Sequence, residues 1–494
     1  MPEWSVSVTV SETFHFNSNG SEMVLHTVDL NDEQDECLQD KALKKKFWCK
    51  NNKKKKQQPF SDPDIFKFTD YDSIGFDLDN TICRYKVGEL MRMEYNYIAE
   101  YLVNKYGFPN SLLLPIEDDM DFIQKGLIMD IARGNFMKIS DKGMILRATH
   151  GTRPLTRVEI IETYGEKRIW EPALVFKDSL NDHSNPEFKG VLRSFKDYFD
   201  LPAAVACARA IDALDKEDGP QEIYDLWQDV HVAMCNLYRR EHFRNDEGGF
   251  FPEVKYHPEK YLYECSDKMK KWLKQINEHT YTFLISGSSI DYASHIAAYV
   301  LGEDWRDYFD TVVCTSKKPA FWYQNKPFKY LIGADDGDDV PANKLELDGT
   351  YSGGNWPDLY NLLKQETNIE NPHCLYIGDH LAYDVLAPSQ IGIDSVAIVE
   401  ELAAEGMCGD SMDHEAGPDL MSSYWGSFFT TDGNNRIMGL ERINTLYASV
   451  PLKCARIAIP SIESVALKPI KHPYEAFTGD SSGYYPGDPV ILHF

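Results

Sequence analysis

Short apolar runs that break into polar clusters recur along the chain, separated by stretches with helical spacing. Ile74-Gly75-Phe76-Asp77-Leu78 is the first such run, and Met91, Tyr95, Ile98 and Leu102 follow it at intervals of three and four. Thr282-Phe283-Leu284-Ile285 is the next strand, ending at Ser286-Gly287-Ser288-Ser289, where a helix is predicted to run to Gly302, a natural stop. Thr311–Cys314, His373–Ile377 and Ser395–Val399 complete a set of five apolar strands. Buried strands alternating with helices predict an α/β fold, with a doubly wound parallel sheet covered on both faces. In such sheets ligands sit beyond the carboxyl ends of the strands. The polar clusters here lie at those ends.

Between the first two strands lies a long insertion, roughly 105–265, whose pattern is helical. Ile223, Trp227, Val230, Met234 and Leu237 form one apolar stripe. Just beyond the insertion, Met269, Trp272, Leu273 and Ile276 form another, with Ser266 as its N-cap. The insertion is expected to form a helix-rich cap over a core made of 69–104 and 266–405. Residues 406–494 are expected to pack back on both. Val6, Val8, Val10, Phe14 and Phe16 alternate as in a strand, but with no partner strand nearby. Residues 1–68 therefore read as a mostly mobile extension.

Charge changes this picture in two places. The 494 residues carry 51 Lys+Arg against 78 Asp+Glu, a net charge of −27, which argues against nucleic acid polymers and anionic membranes as partners. Residues 41–56, however, hold nine lysines and no acid. That run reads either as a solvated linker or as a nuclear-import or polyanion patch. The acidic run Asp335–Asp339 lacks the spacing of a calcium loop and reads as an exposed loop. No apolar stretch reaches the ~18 residues of a membrane helix. The ten cysteines show no CxxC pair, and the start of the chain lacks the pattern of a secretory signal. Reduced thiols and a cytoplasmic location are expected.

Four clusters carry candidate chemistry. Asp77-Leu78-Asp79-Asn80-Thr81 puts two carboxylates where a strand ends and the chain turns, so both can aim at one point. Such a pair can hold Mg²⁺, attack phosphorus and move protons. A calcium loop starting at Asp77 would need Gly and Glu where Ile82 and Gly88 stand. Ser286, Gly287 and Ser288 offer a hydroxyl and free N–H groups at a helix start, suited to a phosphate or merely to a cap. Lys317 or Lys318, before Pro319, could neutralise phosphoryl oxygens. Gly378-Asp379-His380-Leu381-Ala382-Tyr383-Asp384 adds two acids: Asp379 for the metal and Asp384 for a ligand or water.

The order of these motifs resembles the haloacid-dehalogenase-like hydrolases. FDLDNTICRY (76–85), KGLIMDIARGNFMKIS (125–140), LRATHG (146–151), TFLISGSS (282–289), YFDTVVCTSKKPAFW (308–322), YSGG (351–354) and LYIGDHLAYD (375–384) resemble, more closely, the cytosolic purine 5′-nucleotidase family. WGSFF (425–429), IAIPSIESVA (457–466) and GYYPGDPV (483–490) are similar to one branch of it.

The resemblance covers roughly 70–494. It implies a Rossmann-like core with a large cap and Mg²⁺-dependent hydrolysis of a small phosphomonoester, a nucleoside monophosphate. It implies Asp77 as nucleophile and Asp79 as acid and base. It places Mg²⁺ on Asp77, the Asp79 carbonyl and Asp379, and the phosphoryl group on Ser286, Gly287, Ser288 and Lys318, with Thr81 and Asp384 in support. Arg133, Asn135 and Lys138 match a stretch near the nucleotide, or else form a structural hairpin. His150 and His380 are expected in the core or on the surface.

Residues 160–260 do not match the family's purine-reading helices, so the base is not named. Two other readings keep the same residues: a phosphotransferase with a nucleoside acceptor, and a non-enzymatic adaptor that retains the fold. A homo-oligomer is left open.

Overall fold

The computed structural model describes residues 64–180, 185–407, 420–432 and 442–477. The alternating valines near the N-terminus and the lysine run 41–56 lie outside these residues. Nine strands form the central sheet. In chain order they are β1 (Ser73–Phe76), β7 (Tyr281–Ile285), β8 (Thr311–Cys314), β9 (Phe328–Ile332), β10 (Asp335–Asp339), β11 (Thr350–Gly353), β12 (Cys374–Gly378), β13 (Asp394–Ile398) and β14 (Ile457–Ile459). Spatially they run β10-β9-β11-β8-β7-β1-β12-β13-β14. The run from β11 to β14 is parallel, and β9 and β10 add an antiparallel edge.

Every residue of β1, β7, β8 and β12 is buried, which is why these strands read as unbroken apolar runs. From β1 the chain winds outward through β7 and β8 on one side, and later through β12 and β13 on the other. The strand order therefore reverses at β1, and the crevice at that reversal is the natural ligand position.

Helix α1 (Val87–Tyr101) buries Met91, Tyr95 and Ile98 as the spacing predicts. Helix α4 (Asp267–His279) buries all four residues of its stripe, and its first turn is capped by the Ser266 side chain accepting from the Met269 N–H. Helix α5 (Ile290–Leu301) stops at Gly302, whose φ of 111° suits a residue without Cβ.

The insertion differs from its helical expectation. It carries a five-stranded antiparallel sheet, β2 (Leu127–Asp130), β3 (Asn135–Ile139), β4 (Ile145–His150), β5 (Arg153–Pro154) and β6 (Leu192–Phe195), in the order β5-β4-β3-β2-β6. Helices α2 (Leu201–Asp218) and α3 (Trp227–Leu237) pack on α1 and tie this unit to the core. The stripe on α3 begins at Trp227. Ile223 lies before the helix and is exposed, because the chain between Gly219 and Leu226 is irregular.

Two further expectations are corrected. The folded body begins before residue 69: Ile65–Phe66 pairs with Tyr474–Glu475, and Phe66 and Phe68 are buried beside Tyr71 and Trp272. Asp335–Asp339 is not a loop but the exposed outer strand of a hairpin, where acids discourage further edge pairing. Beyond residue 405, Trp425 is buried against Phe122 and donates to its carbonyl at 2.7 Å, and Ile457–Ile459 extends the core sheet. Among the described residues no helix is long and apolar enough to cross a membrane, and the seven described cysteines are free.

Candidate active site

Strands β7 and β12 flank β1, so the loops after all three converge. After β1 the chain turns at once. The N–H groups of Ile82 and Cys83 both donate to the Leu78 carbonyl, and Asn80 takes a left-handed φ of 53°. This turn brings Asp77 and Asp79 to one cavity. Its lining also includes Asn80, Asp197, Phe199, Gly287, Ser288, Lys318, Asp379, His380, Tyr383 and Asp384. The space measures about 60 Å³.

Lys318 is the hub. Its Nζ donates to Asp77 Oδ1 at 2.8 Å, Asp384 Oδ1 at 2.7 Å and the Tyr376 hydroxyl at 3.2 Å. Burial would push its ammonium down, but Asp384 and Asp77 outweigh that and hold it well above the usual lysine range. Spacing alone left Lys317 and Lys318 open and the family resemblance pointed to Lys318; Lys318 is the one that lines the cavity. The Ser288 hydroxyl donates to Asp79 Oδ2 at 2.9 Å, Ser286 Oγ reaches the same oxygen at 3.5 Å, and Tyr85 donates to Asp79 Oδ1 at 2.8 Å. Burial, then the charge of Asp77, raises the Asp79 carboxyl to about 6 in spite of these donors.

Three carboxylates offer oxygens within 4.8 Å of one another: Asp77, Asp379 and Asp384. Burial raises Asp384 to about 7, against the pull of Lys318. Burial and the charges of Asp77 and Asp384 raise Asp379 well above the carboxylate range. Five acids line this cavity, and Lys318 is the one lysine or arginine among its lining residues. Burial, with Lys196 and Lys318 nearby, lowers His380 well below its ordinary value. A buried, oxygen-only donor set with excess negative charge fits a hard dication such as Mg²⁺. The side chain of Asp384 joins this set, whereas that of Asp79 turns to Tyr85 and the serines.

The hairpin residues are elsewhere, and none of them lines the cavity. Arg133 pairs with Asp130 at 2.9 Å, and Asn135 bonds Tyr164 at 3.0 Å and His150 at 2.8 Å. Lys138 is buried with its Nζ on the carbonyls of Trp425 and Ser427, and burial lowers it to about 7. In the structure these side chains are engaged with protein partners in a hairpin. Thr81 is buried next to the loop but has no place in the cavity lining.

His380 is more than a core residue. It walls the cavity and stacks on Tyr383, centroids 3.8 Å apart and planes 3° apart. Asp197 and Phe199, which follow β6, also reach the cavity and had no periodic signal to mark them.

The site thus lies at the carboxyl ends of parallel strands in an α/β protein, with Asp197 and Phe199 of the insertion in its wall. A profile of the 5′ nucleotidase family matches residues 65–423, and the chain belongs to that family. It is 34% identical to the human 5′-nucleotidase domain-containing protein 1, over 86% of this chain and 97% of that protein. The bovine protein of the same name gives the same identity and coverage. The human 5′-nucleotidase domain-containing protein 2 is 26% identical over 68% of this chain and 62% of its own length. Among solved structures, an archaeal β-phosphoglucomutase from Pyrococcus aligns with a TM-score of 0.27 at 11% identity, over 66% of this chain and 86% of that one.

Proposed function

We propose that this chain is a Mg²⁺-dependent phosphomonoester hydrolase, a 5′-nucleotidase that releases phosphate from nucleoside monophosphates through an aspartyl-phosphate. The observation that carries this reading is the convergence of Asp77, Asp79, Asp379, Asp384 and Lys318 on one buried cavity. Asp77, Asp379 and Asp384 would hold the ion, which when bound supplies positive charge opposite the phosphoryl oxygens.

The protein's own groups do the rest. Asp77 attacks phosphorus, forming the Asp77 O–P bond as the ester P–O bond breaks. Asp79, whose carboxyl is raised to about 6 and so retains a proton fraction near neutrality, gives that proton to the leaving oxygen. In the second half, Asp79 takes a proton from water, the water oxygen bonds to phosphorus and Asp77 is released. Lys318 holds Asp77 in place through its 2.8 Å hydrogen bond, and Ser286, Gly287 and Ser288 cradle the phosphoryl group.

A cavity of about 60 Å³ equals roughly two water volumes. It suits a phosphoryl group, and the nucleoside would extend past Phe199 and Tyr383 toward the cap. The test is phosphate release from a panel of nucleoside monophosphates, with and without Mg²⁺. Turnover that needs Mg²⁺ and vanishes in Asp77→Asn supports the reading. Equal background in both proteins on every substrate overturns it and favours the adaptor.

A further inference from the structure

Asp79 is held by two sets of hydroxyls of different origin. On Oδ2 sit Ser288 at 2.9 Å and Ser286 at 3.5 Å. On Oδ1 sits Tyr85 at 2.8 Å. The serines are also the groups proposed for the phosphoryl oxygens, so an arriving substrate competes for them. Tyr85 has no such second task. Its hydroxyl lies 2.7 Å from that of Tyr292, and both rings are buried. Because the Tyr85 proton goes to Asp79, Tyr292 must be the donor to Tyr85.

The pair is clamped from the insertion. Phe199 packs edge-on to Tyr85 at 5.3 Å, and Phe243, Phe250 and Phe251 surround Tyr292 at 5.6, 5.7 and 5.0 Å. Tyr292 sits on α5, directly after the serine loop. The aromatic side chains of the insertion thus fix a hydroxyl chain that ends on the proposed proton donor.

We infer that Tyr85, backed by Tyr292, is a positioning residue for Asp79, and that it keeps the carboxyl aimed at the leaving oxygen when the serines turn to the phosphoryl group. The inference rests on the hydrolase reading above. It concerns only proton delivery, in which the Asp79 proton moves to the leaving oxygen as the ester P–O bond breaks. A leaving group that departs without a proton does not need this help in the first half of the reaction, whereas the water step of the second half is common to all substrates.

The experiment compares full-length wild type, Tyr85→Phe, Tyr292→Phe and Asp77→Asn, with Mg²⁺ present. The substrates are a nucleoside monophosphate, whose alkoxide needs a proton, and p-nitrophenyl phosphate, whose phenolate does not. Tyr85→Phe is expected to lower kcat/KM, which reads the first half of the reaction, about 10- to 100-fold on the nucleotide, less than the roughly 10²- to 10⁴-fold of a whole general acid. On p-nitrophenyl phosphate its loss is expected to stay below about 3-fold, which also reports that the variant is folded. Tyr292→Phe, which does not touch Asp79, is expected to show the same asymmetry in weaker form.

Equal losses on both substrates in both variants would overturn the inference in favour of a purely structural role, as would no loss on either. If wild type does not exceed Asp77→Asn on any substrate, the hydrolase reading itself fails and this inference with it. Wild-type turnover with symmetric tyrosine losses overturns the inference alone.

Discussion

Replacing Lys318 by Met isolates what one buried cation does for this site. The lysine side chain is 5% exposed, and its partners Asp77 and Asp384 are 11% and 0% exposed, so solvent does little to screen the interaction. Without it, Asp77, Asp379 and Asp384 stay within 4.8 Å of one another with no opposite charge between them. Removing one partner of a buried ion pair costs about 3–5 kcal/mol, because the remaining charge is left uncompensated. At neutral pH without metal, Lys318→Met should lose that much, a factor of roughly 10² to a few thousand in the folded-to-unfolded ratio.

The companion Asp77→Asn removes one acid of the cluster and leaves Lys318 paired with Asp384. It should match or exceed wild type in stability under the same conditions. Urea unfolding followed by tryptophan fluorescence, with and without Mg²⁺, reads both variants. Excess Mg²⁺ should restore part of the Lys318→Met deficit, since a dication answers the same repulsion. A metal-free Lys318→Met protein within about 1 kcal/mol of wild type would refute the reasoning, because no measurable charge compensation would then run through this lysine.

Three further outcomes follow from the same structure. Between the ordinary aspartate value of 3.8 and about 7, the folded protein keeps a proton on Asp384 that the unfolded chain has released, and Asp379 shifts in the same direction. Metal-free stability should therefore fall as pH rises through this window, while the gain from Mg²⁺ grows; a gain that stays flat with pH in thermal melts would contradict this. Lys138→Met should destabilise by about 1–3 kcal/mol, by stranding the Trp425 and Ser427 carbonyls, yet leave substrate KM unchanged; a raised KM without lost stability would return the hairpin to the substrate site. Trp425→Ala should cost about 3–5 kcal/mol in equilibrium unfolding, because it empties a buried site against Phe122; a loss below about 1 kcal/mol would detach the segment beyond residue 420 from the fold.

The central strands were legible because burial on both faces leaves them uniformly apolar, as in Ile74 to Phe76 and Leu375 to Ile377. The same logic failed at Asp335–Asp339, an exposed edge whose residues carry no apolar signal. It failed again in the insertion. Leu127–Asp130 and Asn135–Ile139 are fully buried strands joined by a tight turn, and Arg133, Asn135 and Lys138 at that hairpin, matched by resemblance to a stretch near the nucleotide, bond protein partners instead of lining the cavity. In the cavity, Asp77, Asp79 and Asp379 stand at strand ends, where motif order pointed, and Lys318 is the lysine that the family resemblance selected. The partners contributed by distant segments were not. Asp197 and Phe199 reach the cavity, and Tyr292 reaches Tyr85, only through tertiary packing, and no spacing rule links them to Asp79. Tyr85 stood six residues from Asp79, within the quoted motif, yet its hydrogen bond depends on the turn at Asn80.

The most direct test of the proposed reaction is to trap its intermediate. Wild-type protein with Mg²⁺ and a phosphate-labelled nucleoside monophosphate, quenched in acid within the first turnover, should carry a hydroxylamine-labile phosphoryl group that peptide mapping assigns to Asp77. Asp77→Asn should carry none. A wild-type protein that releases phosphate in the burst without ever acquiring label on Asp77, or that is labelled at another residue, would contradict the account.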